Sequence, residues 1–169
     1  LVYHKNIVRV FNYYLYPDNY TGYILMEFIK GKNISNFLKE NPDKLNDVFR
    51  QTIEGFVHLE RSQILHRDIR PDNILISDNG VVKIIDFGFS KKIDFNSDFN
   101  KSVSLNWRYT PPDEFENKMY DFKTELYFIG RLFEEIIIDN DFQSFQYRVL
   151  LKEMIEKDYK NRISSFFDL

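Results

Sequence analysis

The chain has 169 residues, 43% of them hydrophobic and 29% charged, with a net charge of −3. That is enough for one domain with a sizeable core, and the charge balance argues against nucleic acid or a membrane surface as partner. With no Cys the fold cannot rest on disulfides, which suits a reducing compartment and a cytoplasmic location. No apolar run approaches membrane-spanning length.

In chain order, His4-Lys5-Asn6-Ile7-Val8 opens into a β-like run through Val10, Tyr14 and Tyr16 that stops at Pro17-Asp18. Thr21-Gly22 reads as the turn into a second strand, Tyr23 to Phe28. Gly31-Lys32 interrupts the pattern, and Asn33 to Glu40 reads as a short helix capped by Asn33 or Ser35. A longer helix follows Pro42-Asp43, with Leu45, Val48, Phe49, Thr52, Ile53, Phe56, Val57 and Leu59 at a 3.6-residue period. His58 lies on or near that apolar face, where a surface or core histidine is a better reading than a catalytic one.

The most informative stretch is Ile64-Leu65-His66-Arg67-Asp68-Ile69-Arg70-Pro71-Asp72-Asn73-Ile74-Leu75-Ile76, followed ten residues later by Asp86-Phe87-Gly88. Its pattern is a polar loop, a strand, a tight turn at Ser77-Asp78-Asn79-Gly80, and a strand from Val81 to Ile85. Such a hairpin holds Asn73 and Asp86 at its open end beside Asp68. Asn73 and Asp86 offer hard oxygen ligands suited to Mg²⁺ on a polyphosphate, and Asp68 is free to take a proton from an incoming hydroxyl. Beyond it, residues 90–107 have loop composition, Thr124 to Ile138 reads as a buried helix, and Phe145 to Ile155 as the last amphipathic one.

These residues resemble the catalytic loop and the Mg²⁺-binding loop of the eukaryotic-type protein kinases. The resemblance implies an α+β, kinase-like fold with a mostly helical large lobe and a truncated β small lobe. Residues 1–30 would be a remnant of the small lobe with the hinge, and residues 31–169 the large lobe. It implies ATP and Mg²⁺ as cofactors, and a protein substrate phosphorylated on Ser or Thr. Asp68 would be the catalytic base, Arg70 would stand near the γ-phosphate where the family usually has Lys, and Asn73 and Asp86 would hold the metal. Met26 falls at the gatekeeper position, Glu27 to Ile29 at the adenine-binding hinge, and Leu75 at the floor of the adenine pocket. Trp107 to Asp113 resembles the end of the activation segment, with Asp113 paired to Arg162, and Glu125 would hold the catalytic-loop backbone. Arg67 beside Asp68 points to control by phosphorylation of Ser102 or Ser104.

The chain lacks four elements of the family pattern. It has no Gly-x-Gly-x-x-Gly, no Val-Ala-x-Lys strand and no helix to supply the Glu that pairs with that Lys, so these are expected upstream of Leu1. Only a short connection around Asp139 to Gln143 stands where the family has a substrate-docking helix. Two alternatives therefore stay open: a pseudokinase binding module, which the missing Lys keeps alive, and a small-molecule phosphotransferase of related fold, which the missing docking helix favours.

Overall fold

Alternating aromatic and aliphatic residues on either side of a proline turn favour a hairpin, since such side chains pack across paired strands. In the computed structural model, which describes residues 3–92, 109–117 and 119–169, β1 (Val10–Tyr16) pairs antiparallel with β2 (Thr21–Met26). The turn is a short helical one at Pro17–Asn19, closed by Tyr20 at φ 49°. Thr21 and Gly22 are therefore strand residues and not the turn. Pro17, with its φ already set, starts the reversal earlier. Tyr14 stacks on Tyr23 with ring centroids 4.6 Å apart. β2 ends at Met26, two residues short of the expected Phe28.

β3 (Gly31–Asn33) leads directly into α1 (Ile34–Glu40). Of the two candidate caps, Asn33 is the one used: its side chain accepts the Asn36 amide at 2.9 Å. A short turn at Pro42–Lys44 precedes α2 (Leu45–Arg61), which buries Leu45, Val48, Phe49, Thr52, Ile53, Phe56 and Leu59. His58 is half-buried and stacks on His4 at 4.8 Å. β4 (Ile64–Leu65), β5 (Ile74–Ser77), β6 (Val82–Ile84) and β7 (Lys91–Lys92) follow. One sheet has the order β3-β5-β6, all antiparallel, and β4 pairs with β7. Gly80, at φ 75°, closes the turn between β5 and β6.

The N-terminal segment is zipped onto β6. The Val8 amide donates to Ile84 O at 2.9 Å, and the Ile84 amide donates to Asn6 O at 2.8 Å. Buried Asn6 adds side-chain bonds to Gln51 Oε1 (3.1 Å) and Val82 O (3.0 Å), which tie this segment to α2 as well.

α3 (Phe122–Asp139) is the buried axis of the molecule. Asp121 and Thr124 form a reciprocal capping box at its start. Its Leu126, Ile129, Leu132, Phe133 and Ile136 join the α2 face in one core, with Phe133 edge-on to Phe49 at 4.9 Å. α4 (Arg148–Met154) is shorter than the expected Phe145 to Ile155. Phe145 is instead buried against Phe49, and the Gln146 amide is drawn to Asn46 Oδ1 at 2.9 Å. No helix among the described residues is long and apolar enough to cross a membrane. The α+β expectation holds, with small sheets at one end and helices around α3.

Gly31 is where the chain has no room for a side chain: a Cβ there would sit 2.0 Å from Ile76 O on the paired strand. Gly31→Ala must push β3 off β5, and is expected to destabilise the fold by about 1–3 kcal/mol in urea unfolding.

Candidate active site

The loop between β4 and β5 is held in a shape that ordinary backbone avoids. Arg67 has φ 69° and Asp86, just past β6, has φ 61°. Residues other than glycine occupy this region only when their surroundings hold them there. One holding group is His66, which is buried among Phe56 and Phe87. Its Nδ1 accepts the Asp68 amide at 3.3 Å, so Nε2 carries the proton and donates to Ile85 O at 2.8 Å. Burial lowers the pKa of this imidazole and keeps it neutral. One ring thus ties the loop at Asp68 to the residue before Asp86.

Asp68 and Asn73 are also joined directly. Asn73 Nδ2 donates to Asp68 O at 2.7 Å and to Asp68 Oδ2 at 2.8 Å. Both residues are buried, at 7% and 2% exposure. These bonds orient the Asp68 carboxylate and leave Oδ1 as its available oxygen. They also engage the nitrogen of the Asn73 amide, so its oxygen is the atom left for a cation. The Ile85 amide donates to Asn73 O at 2.9 Å, which sets exposed Asp86 beside Asn73. An amide and a carboxylate at an open edge fit Mg²⁺, which takes few protein ligands and keeps waters and phosphate oxygens. No cluster of three or more His, Cys, Asp or Glu metal ligands occurs among the described residues. Arg70 is half exposed, with Nε 3.6 Å from Asp68 Oδ2.

The other expected site residues lie on the hinge side. Leu75 is half-buried on β5, on the face opposite buried Ile74 and Ile76. Met26 is exposed at the end of β2, and Glu27 and Ile29 are half-buried just after it. The Glu27 amide is already spent on Arg9 O at 2.9 Å.

Beneath the loop, Glu125 is fully buried in the first turn of α3, and its Oε1 accepts the Arg67 amide at 2.8 Å. The Tyr120 hydroxyl donates to the same oxygen at 3.3 Å. Burial outweighs these bonds and pushes the Glu125 carboxyl up to about 8. The Arg67 guanidinium lies 5.8 Å over the Tyr120 ring, and its Nε meets no hydrogen-bond partner among the described residues.

Comparison with known proteins places this geometry. The family described as Protein kinase domain matches residues 1–147. The chain belongs to the protein kinase family. It is 32% identical over 139 residues to the serine/threonine-protein kinase CLA4 of Candida albicans, which covers 79% of this chain and 14% of that protein. It is 33% identical to a probable serine/threonine-protein kinase, the MRK1 homolog of Encephalitozoon cuniculi, over 78% of this chain and 43% of that protein. Aurora kinase C of Mus musculus is 29% identical over 80% of this chain and 49% of that protein. The chain thus spans less than half the length of each of these relatives.

In this kinase chain the anchor of the segment after the site differs from the expected Asp113–Arg162 pair. Asp113 is exposed, and the acid that meets Arg162 is Glu114, one residue later. Arg162 Nη1 and Nη2 donate to Glu114 Oε1 and Oε2 at 2.5 and 3.1 Å. The remaining guanidinium donors go to the carbonyls of Glu156, Lys123 and Lys157, so the buried cation is fully satisfied. Thr124 Oγ1 donates to the same Glu114 carboxylate at 2.9 Å, joining this pair to the cap of α3. Pro111 and Pro112 shift the register by one position, and the doubled acid Asp113-Glu114 was the only sequence signal of it. Ser102, Ser104, Trp107 and Arg108 lie outside the described residues.

Two outcomes follow from these buried carboxylates. Glu114→Gln leaves the Arg162 charge uncompensated and should cost about 3–5 kcal/mol in urea unfolding, whereas Asp113→Asn should change stability by less than about 0.5 kcal/mol. Glu125 holds its proton in the folded chain up to about pH 8, while unfolding returns it to the ordinary carboxyl value of 4.5. The folded state therefore binds the extra proton between those values, and stability should fall as pH rises from about 5 to about 8. Glu125→Gln keeps an acceptor for the Arg67 amide and cannot ionise, so thermal melts across this range should show a flatter profile than the parent.

Proposed function

We propose that this chain is the catalytic floor and substrate platform of an ATP-dependent protein kinase that phosphorylates Ser or Thr hydroxyls. In this reading residues 1–30 supply two small-lobe strands and the hinge, and residues 31–169 the large lobe. The observation that carries it is the pair of hydrogen bonds from Asn73 Nδ2 to Asp68, with Asp86 set alongside through the Ile85 amide. It leaves one carboxylate oxygen for a proton and two oxygen donors for a cation at the same edge. The relatives named serine/threonine-protein kinase support the substrate class.

The chain's own residues divide the work. Asp68 Oδ1 orients an acceptor hydroxyl and takes its proton as that oxygen bonds to the γ-phosphorus and the bond from the γ-phosphorus to the ADP oxygen breaks, releasing ADP. Arg70 brings positive charge beside that carboxylate, where the transferred phosphoryl group develops negative charge. Asn73 and Asp86 would hold Mg²⁺, which would supply positive charge to the phosphate oxygens of ATP. Leu75 and the segment Met26 to Ile29 face the base. The pair Glu114–Arg162 fixes the platform on which a protein substrate lies. The short 140–147 connection favours a second reading, transfer to a small-molecule hydroxyl.

Asp68→Asn in the full-length protein is expected to lower phosphate transfer by about 10²–10⁴-fold with little change in thermal stability. The assay is transfer from radiolabelled ATP to a basic protein and to a panel of small hydroxyl acceptors. The 169 residues alone serve as a slow control, since they carry no Gly-rich loop or strand Lys to cover the phosphates. Retention of more than half the activity in Asp68→Asn rejects the assignment, and transfer only to the small acceptors selects the second reading.

A further inference from the structure

The β1–β2 hairpin carries little that binds it to the rest of the molecule: from Phe11 to Met26 every residue is exposed. Its orientation is set at its base, where both strands meet at Arg9 and Glu27. The Glu27 amide donates to Arg9 O at 2.9 Å, and the Arg9 amide donates to Glu27 Oε1 at 2.7 Å. The same Oε1 accepts Lys83 Nζ at 2.6 Å. Lys83 is the middle residue of β6, so this contact crosses from the end of the hairpin to the strand that leads to Asp86.

The position of Lys83 makes this more than a surface pair. On β6, Val82 and Ile84 point into the core, and Lys83 points to the opposite face. Its cross-strand partner there is Leu75. The two side chains are only 16% and 25% exposed, so water screens the pair less than it screens ordinary surface ion pairs. Burial works against the Glu27 charge, but the Lys83 ammonium and the Arg9 amide outweigh it and hold this carboxyl below its usual range.

We propose that Lys83 is a positioning residue for the nucleotide: its ion pair with Glu27 fixes the segment Met26 to Ile29 over Leu75. This deepens the hinge reading above and rests on it. With the pair intact, the hinge backbone is presented to a base at one angle relative to β5 and β6. Without it, the hairpin is held at its two ends, by the zipper at Asn6, Val8 and Ile84 and by the Asp78 amide on Lys30 O, and the segment between can shift, so the cleft must be ordered each time a nucleotide enters. The cost falls on binding, since Asp68, Asn73 and Asp86 are held by other contacts.

The test is a double-mutant cycle in the full-length protein with Lys83→Met, Glu27→Gln and both together. Gln keeps an acceptor for the Arg9 amide while removing the charge. Each single variant is expected to raise KM for ATP about fivefold with kcat changed less than about twofold, and the double variant no more than either single. Amide hydrogen exchange at Leu25 to Ile29 should speed up by a similar factor, with exchange in α3 unchanged. Additive effects, an unchanged KM with unchanged exchange, or a faster enzyme would each overturn the proposal. If the parent protein transfers no phosphate, the kinase reading fails by itself. The exchange data then still decide whether Lys83 holds the hinge segment, since unchanged exchange overturns the proposal.

Discussion

A carboxylate with almost no access to water, Glu125, sits in the first turn of α3 and accepts the Arg67 amide. Burying an acid is costly, and the cost shows in the proton this one retains. It stabilises a backbone bend at Arg67 that would otherwise relax. From that bend follow the positions of Asp68 and Asn73. The same helix turn carries Thr124, whose hydroxyl reaches Glu114 and so the Arg162 network. The loop at Arg67 and the segment at Glu114 are therefore braced against the same few residues of α3. The apolar remainder of that helix is sealed in the core, so it can serve as a fixed reference for both.

Much of this was legible because some residue types admit few alternatives. A His-Arg-Asp loop followed by Asn73 and by Asp-Phe-Gly, with short apolar runs between, carries its own spacing. The period of α2 likewise exposed its buried face. What escaped was decided by one-residue offsets and by contacts between distant segments. Glu114 against Asp113 could not be settled from composition, because both are acids beside two prolines and only the fold shows which one is buried. The strand at Gly31 read as a break, since its reason is the closeness of Ile76 O and not any local propensity. Phe145 satisfied a helical pattern and was claimed by the core instead.

The hinge region was the least readable of all. Met26, Glu27 and Ile29 could be assigned only through their order ahead of the catalytic loop. Glu27 turned out to use its amide and its carboxylate at once, both toward Arg9, with Lys83 sharing the carboxylate. No periodicity links residues 27 and 83, so sequence patterns give no sign of this long-range pair.

The zipper of the N-terminal segment onto β6 also sets an order of events during synthesis. Asn6 is received by a carbonyl 76 residues further along the chain. At roughly 5–20 residues per second, the ribosome leaves the β1–β2 hairpin without its anchor for several seconds. During that interval the hairpin can close on itself, Tyr14 against Tyr23, but its orientation is unset. Closing the distant contact carries an entropic cost, so the direction of the hairpin is fixed only after β6 has emerged.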